Sequence, residues 1–219
     1  CMECFFYCTG NEAGTYRIMS ANEASQSSEY LVMRIRLGQY QFSTDTANSG
    51  TINTAVFNEW THMAFTKEGT TVRGFINGRK IWETTDNNTV TITNLITGWG
   101  YGGEYFPGFI SNARFVNGSS VYTADFTPPA TSLTNITNTH LLCCQDSNAA
   151  TGVISSGSIT VAGNAAASQT KQPFLYNSNG DLGVNTGTSN TTKITIPHTA
   201  ADTLYYYCNA HSGMGSSIN

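Results

Sequence analysis

Three observations predict that this 219-residue chain is all-β, a jelly-roll-like antiparallel sandwich followed by a small β module. The stretch WTHMAFTKEGTTVRGFINGRKIW, residues 60–82, holds two runs of strand length around Asn77-Gly78. That pair accepts the positive φ that both central positions of a tight hairpin require. Elsewhere apolar and polar residues alternate with period two, as in half-buried strands. No window shows the i, i+3, i+4, i+7 apolar recurrence of an amphipathic helix.

The elements follow in order. CMECFFYC at the start reads as a strand with Met2, Cys4, Phe6 and Cys8 on one face. The chain begins without Met and inside this run, so further strands are expected upstream. In Tyr30–Leu37, Leu31, Met33, Ile35 and Leu37 alternate inward against Arg34 and Arg36. Gln39–Phe42 continues the meander, and 43–54 is a polar loop. Around Asn77-Gly78 the pairing predicted is Ile76 with Arg79, Phe75 with Lys80, Gly74 with Ile81 and Arg73 with Trp82. Cross-strand partners share a face, so Arg73 is expected over the Trp82 ring. Lys67-Glu68-Gly69-Thr70 turns residues 61–66 back on the same hairpin. Val90–Leu95 is expected to be a short strand. Phe109–Val116 reads as one long strand, Phe109, Ser111, Ala113 and Phe115 opposing Ile110, Asn112, Arg114 and Val116. Residues 177–189 are a Gly/Asn/Thr-rich connector, and Lys193–Ile196 and Thr203–Cys208 are two last strands. The domains expected are 1–174 for the sandwich and 175–219 for the small module.

Composition narrows the function. Hydrophobic residues make up 39% of the chain, enough for a core, but charged residues only 11%, with a net charge of −4. With no basic run, nucleic acid is not an expected partner. No apolar stretch approaches the about 20 residues of a membrane span. The six cysteines, at 1, 4, 8, 143, 144 and 208, invite a metal or disulfide reading. Strand alternation separates Cys1 from Cys4 and Cys8, and points Cys143 and Cys144 in opposite directions. Buried thiols acting as small hydrophobes are therefore expected.

Two stretches carry a family resemblance. W-x-H-x-A-x-T…F-x-N-G, from Trp60, and G-x-x-F-x-G-x-I-S-x-x-R…V-Y-T-x-x-F-T-P-P, through Pro129, resemble the laminin G-like, concanavalin A-like lectin sandwich. The resemblance is closest to the form found in structural proteins of tailed marine bacteriophages. HLLCCQDSN and SITVAGNAAAS…QPF are similar to the close of that phage module. LYYYCNAHSGMG, near the C-terminus, resembles the ligand loop of cupredoxins, C-x2-H-x2-M.

From these resemblances come the candidate sites. Trp99, Tyr101, Tyr105 and Phe106 stand among glycines and would offer a stacking platform to a sugar. Cys208, His211 and Met214 match three of the four ligands of a blue-copper centre. The nearest further histidine, His198, stands about 20 Å off along the strand between them, so the loop is read as a remnant and copper is not favoured. Asp45, Asp86 and Asp125 lie in loops without the density that calcium needs. No E-x-D-x-E run of a sandwich glucanase is present, since Glu12, Glu23, Glu29, Glu59, Glu68, Glu83 and Glu104 stand singly. His62 is expected to be a packed or hydrogen-bonded strand residue, and the protein is expected not to be an enzyme. The function implied is that of a virion protein assembled in the host cytoplasm, a tail fibre, tail tip or capsid-surface fibre attaching to host-surface glycan. The alternative is a capsid decoration or cementing protein without a glycan ligand. Expected partners are other virion proteins, host carbohydrate and further copies of the chain.

Overall fold

The computed structural model describes residues 1–21, 30–89, 91–100, 102–145, 152–167 and 173, together with short strands at 185–186, 192–193, 204–207 and 215–218. Among these there is no helix, and two antiparallel sheets build the larger of two compact units, Cys1–Pro128 with Ser132–Pro173. The smaller unit, Pro129–Thr131 with Phe174–Asn219, holds two short ladders. One pairs β13 (Asn185–Thr186) with β14 (Thr192–Lys193), and the other β15 (Leu204–Tyr207) with β16 (Gly215–Ile218). Cys208, His211 and Met214 fall outside the described residues.

The seven-stranded sheet runs β12 (Gly152–Ser155), β11 (Thr139–Cys143), β10 (Gly108–Val116), β1 (Met2–Cys8), β6 (Trp60–Glu68), β7 (Thr71–Ile76), β8 (Arg79–Thr85). Facing it is the five-stranded order β5 (Ile52–Thr54), β4 (Gln39–Ser43), β3 (Leu31–Arg36), β2 (Thr15–Ala21), β9 (Leu95–Thr97). Met2, Cys4, Phe6 and Cys8 all enter the core, as their alternation dictates, beside Met63, Phe65, Met33, Ile35 and Phe42. Phe42 reaches across from the smaller sheet and stacks on Trp82 at 6.2 Å and 16°. It lies directly on Gly74, where a Cβ would sit 2.6 Å from the ring. Gly74 is thus small because an aromatic ring occupies the space above it.

Asn77 and Gly78 take φ of 47° and 77°, and Ile76 pairs with Arg79 as the turn requires. Beyond Phe75–Lys80 the pairing shifts, so Gly74 faces Trp82 and Arg73 faces Glu83. Ile81 is the extra residue of a bulge. The shift sends both Ile81 and Trp82 toward the core and corrects the expected stacking of Arg73 on Trp82. Arg73 instead holds Glu83 and Glu68, each at 3.1 Å.

A second bulge lies in β10. Glu3 pairs with Arg114 but Phe5 with Ser111, and Asn112 adopts φ 55°. Ile110, Ala113 and Phe115 therefore all join the core, and strict alternation fails there. Leu37 is also corrected: it sits in the β3–β4 turn at φ 49° and is 61% exposed. The expected strand at 90–95 lies instead at Leu95–Thr97.

Candidate functional site

The loop joining β9 to β10, residues 98–107, carries the predicted aromatic platform. Gly98, Gly102 and Gly103, at φ 75°, 84° and 86°, let the chain fold back on itself. The Phe106 amide then closes the loop by donating to the Gly98 carbonyl at 2.9 Å. At its far end, Thr9 donates its amide to Pro107 at 2.8 Å. The Phe106 ring meets Phe6 edge-on at 5.9 Å, so Phe106 is the loop's anchor in the core and not part of an exposed platform. Trp99 and Tyr105 remain outside, 39% and 67% exposed. Tyr101 falls outside the described residues.

An ion pair pins this loop to the sheet. Arg17 on β2 is almost wholly buried, and its Nε and Nη2 donate to Glu104 Oε2 at 3.0 and 2.6 Å. Its amide also donates to the Glu104 carbonyl at 3.2 Å. Arg34, its cross-strand partner on β3, approaches Glu104 Oε1 to 3.5 Å. Gly100 lies against the same guanidinium, where a Cβ would come 2.8 Å from Arg17 Nε. A buried guanidinium is stable only when paired, so the loop is held by the charge it covers.

From this loop the chain passes into β10, whose second residue completes a row of rings on the outer face of the large sheet. Trp60, Tyr7 and Phe109 are direct cross-strand partners. Tyr7 meets Trp60 at 5.8 Å and Phe109 at 6.1 Å, both edge-on. All three rings are half-buried.

Farther along that face lies a polar cluster that sequence reasoning missed apart from His62. Glu3 is fully buried in β1. Its Oε1 accepts from Arg114 Nε and Nη2 at 2.9 and 2.6 Å. Its Oε2 accepts from the Tyr122 hydroxyl at 2.9 Å and lies 3.1 Å from His62 Nε2. Burial works to raise the Glu3 pKa, but the hydrogen bond and attraction of His62, and then those of Arg114, outweigh it and hold the carboxyl below its usual range. Burial, and then the neighbouring Glu3 carboxylate, push the Tyr122 hydroxyl up. Tyr122 stacks on Phe126 at 3.6 Å, and both rings pack against His62 and Phe75. His62 is thus a packed, hydrogen-bonded strand residue, as expected. The signal available was a Glu and an Arg within otherwise apolar strands, but their separation of 111 residues hid the pairing.

The three loop aspartates are held by protein groups. Asp86 is buried and accepts from the Thr46 hydroxyl at 3.1 Å and the Asn88 amide at 2.9 Å, with Lys67 Nζ 3.5 Å away. Asp45 accepts from Asn88 Nδ2 at 2.8 Å, while Asp125 takes the Lys80 amide at 2.8 Å. Lys67 supplies the positive charge beside Asp86. No group of three or more His, Cys, Asp or Glu side chains suited to a metal ion occurs among the described residues.

Two sheets packed face to face, with an aromatic loop at one end, define a lectin-type sandwich. Residues 1–125 match the Laminin_G_3 family, and the chain belongs to the concanavalin A-like lectin/glucanases superfamily. Among solved structures it is similar to a candidate carbohydrate binding protein from Bacteroides ovatus, at 17% identity and a TM-score of 0.42 over 52% of this chain. The chain spans about a third (35%) of that structure's length. No curated protein matches it.

Proposed function

We propose that this chain is a non-enzymatic structural protein of a tailed-bacteriophage virion, whose sandwich attaches the particle to host-surface glycan. The observation that carries the binding role is the 98–107 loop, pinned by Arg17–Glu104 and presenting Trp99 and Tyr105 to solvent. Exposed rings on an anchored loop suit the apolar face of a sugar. The virion assignment rests on the likeness of 60–129 and 140–174 to the tailed-phage module. The carboxylates support a binding role over hydrolysis. Glu3, Glu104, Asp86 and the Glu68–Glu83 pair each face an Arg or Lys. Glu3, Glu83 and Asp86 are held below their usual ranges, opposite to the raised pKa that a glycosidase acid needs.

A second reading, a capsid decoration or cementing protein, draws on the Trp60–Tyr7–Phe109 row, since half-buried aromatic rows also anchor protein interfaces. A glycan array with the whole chain separates the two. Saturable binding that is lost in Trp99→Ala and Tyr105→Ala, with folding intact, is the expected result. A folded chain that binds no glycan overturns the attachment reading in favour of decoration.

A further inference from the structure

The end of β11 brings two adjacent thiols together where an extended strand would separate them. Cys143, the last residue of β11, is buried in the core opposite Ala113. Cys144 follows at φ 61°, a left-handed conformation that side-chain-bearing residues seldom adopt. That turn undoes the alternation and sets the two Sγ atoms 3.6 Å apart, correcting the expectation that they point in opposite directions. Cys144 remains half-buried.

The local structure fixes this arrangement from several sides. The Cys144 carbonyl accepts the Asn112 amide at 3.0 Å and the Ser111 hydroxyl at 3.1 Å. Asn112, itself at φ 55°, accepts through Oδ1 from the Leu133 amide at 2.7 Å and from Gln145 Nε2 at 2.6 Å. Gln145 also donates to the Leu133 carbonyl at 2.8 Å. Two left-handed residues, one in β10 and one just past the end of β11, thus hold each other, and backbone so disfavoured persists only where its surroundings over-determine it. Cys4, on β1 beyond β10, adds a third sulfur close enough to influence Cys143. Among the described cysteines, 1, 4, 8, 143 and 144 carry no disulfide.

We propose that Cys143 and Cys144 form a redox-active vicinal dithiol, a modification site that low-molecular-weight disulfides oxidise to a Cys143–Cys144 disulfide. The half-buried Cys144 reacts first. Its thiolate attacks one sulfur of glutathione disulfide and expels one glutathione thiolate, leaving a mixed disulfide on Cys144. Cys143 Sγ, already in contact, then attacks Cys144 Sγ and expels the second glutathione. Two protein thiols are oxidised, one glutathione disulfide is reduced to two glutathiones, and the two protons lost by the cysteines end on the glutathiones. The sulfurs close from 3.6 Å to the about 2.05 Å of the bond. The hydrogen bond with Cys144, then burial, raise the Cys143 pKa, so the ring closes slowly at neutral pH.

The test incubates the whole reduced chain with glutathione disulfide, then alkylates it under denaturing conditions and maps its peptides by mass. The expected product has lost two of its six thiols, with the peptide spanning 143–144 two hydrogens lighter and free of glutathione. The rate rises from pH 7 to 8, because only the thiolate attacks. Cys143→Ser, and Cys143→Ala should the serine variant fold poorly, are expected to stop at a stable glutathione adduct on Cys144. Six alkylatable thiols after oxidation would overturn the proposal. So would a disulfide that joins Cys4 to either residue, or a glutathione adduct that persists on Cys144 in the unaltered chain.

Discussion

Replacing Glu3 by Gln tests whether the outer-face cluster holds the sandwich together. Glu3 is fully buried and takes two hydrogen bonds from Arg114 at Oε1 and one from Tyr122 at Oε2, where His62 also lies. Glutamine keeps the shape but not the charge, and leaves the guanidinium of Arg114, 6% exposed, without its counter-ion. Breaking one side of a buried pair costs about 3–5 kcal/mol. Urea unfolding at pH 7 is expected to show a loss in that range, with little change in slope. The sign with pH follows from the lowered carboxyl. Its contribution is complete above the usual value of 4.5 and drains away as pH falls through the lower folded value. The unaltered chain should therefore lose stability steeply below about pH 4.5, and Glu3→Gln should show a flatter profile there. A double variant, Glu3→Gln with Arg114→Met, should recover part of the loss, because the stranded charge is gone. A loss below about 1 kcal/mol, or a pH profile unchanged by the substitution, would refute the argument.

Gly78→Ala places a Cβ 1.8 Å from the Phe126 carbonyl at φ 77°, and thermal unfolding should register a loss of about 2–4 kcal/mol. Leu37→Asn should stabilise the chain by about 0.5–1 kcal/mol in the same assay, because Asn tolerates the left-handed turn and no core contact is lost. Glu104→Gln removes the carboxylate that ties the loop to the buried Arg17, so limited proteolysis should cut residues 98–107 faster while cleavage elsewhere is unchanged.

What could be read from the sequence was local, and what could not was decided across the sandwich. Asn77-Gly78 announces its hairpin because positive φ at two successive residues is a property of the turn itself. The register four residues later is not such a property. Phe42, on the opposite sheet, fills the space over Gly74 and stacks on Trp82, so the bulge at Ile81 answers packing that no alternation within 71–85 contains. The same holds at Asn112, where a side-chain amide serving Leu133 and Gln145 breaks the period of β10. At the candidate site, the glycines at 98, 102 and 103 marked a loop, and the aromatics among them marked its interest. Which rings stay outside depends on Phe6, which takes Phe106 into the core, and on Arg17, which requires Glu104. Those choices carry a functional consequence. On the proposed attachment role, a loop without anchors would collapse its rings onto the sheet or lose entropy on binding, whereas one tethered at Phe106 and Glu104 would meet a glycan with Trp99 and Tyr105 already placed. If the loop binds glycan as proposed, the buried ion pair at Arg17 bears on recognition as well as on stability. Glu104→Gln should therefore weaken any glycan bound through Trp99 in a binding titration of the folded variant, and unchanged affinity would refute the link.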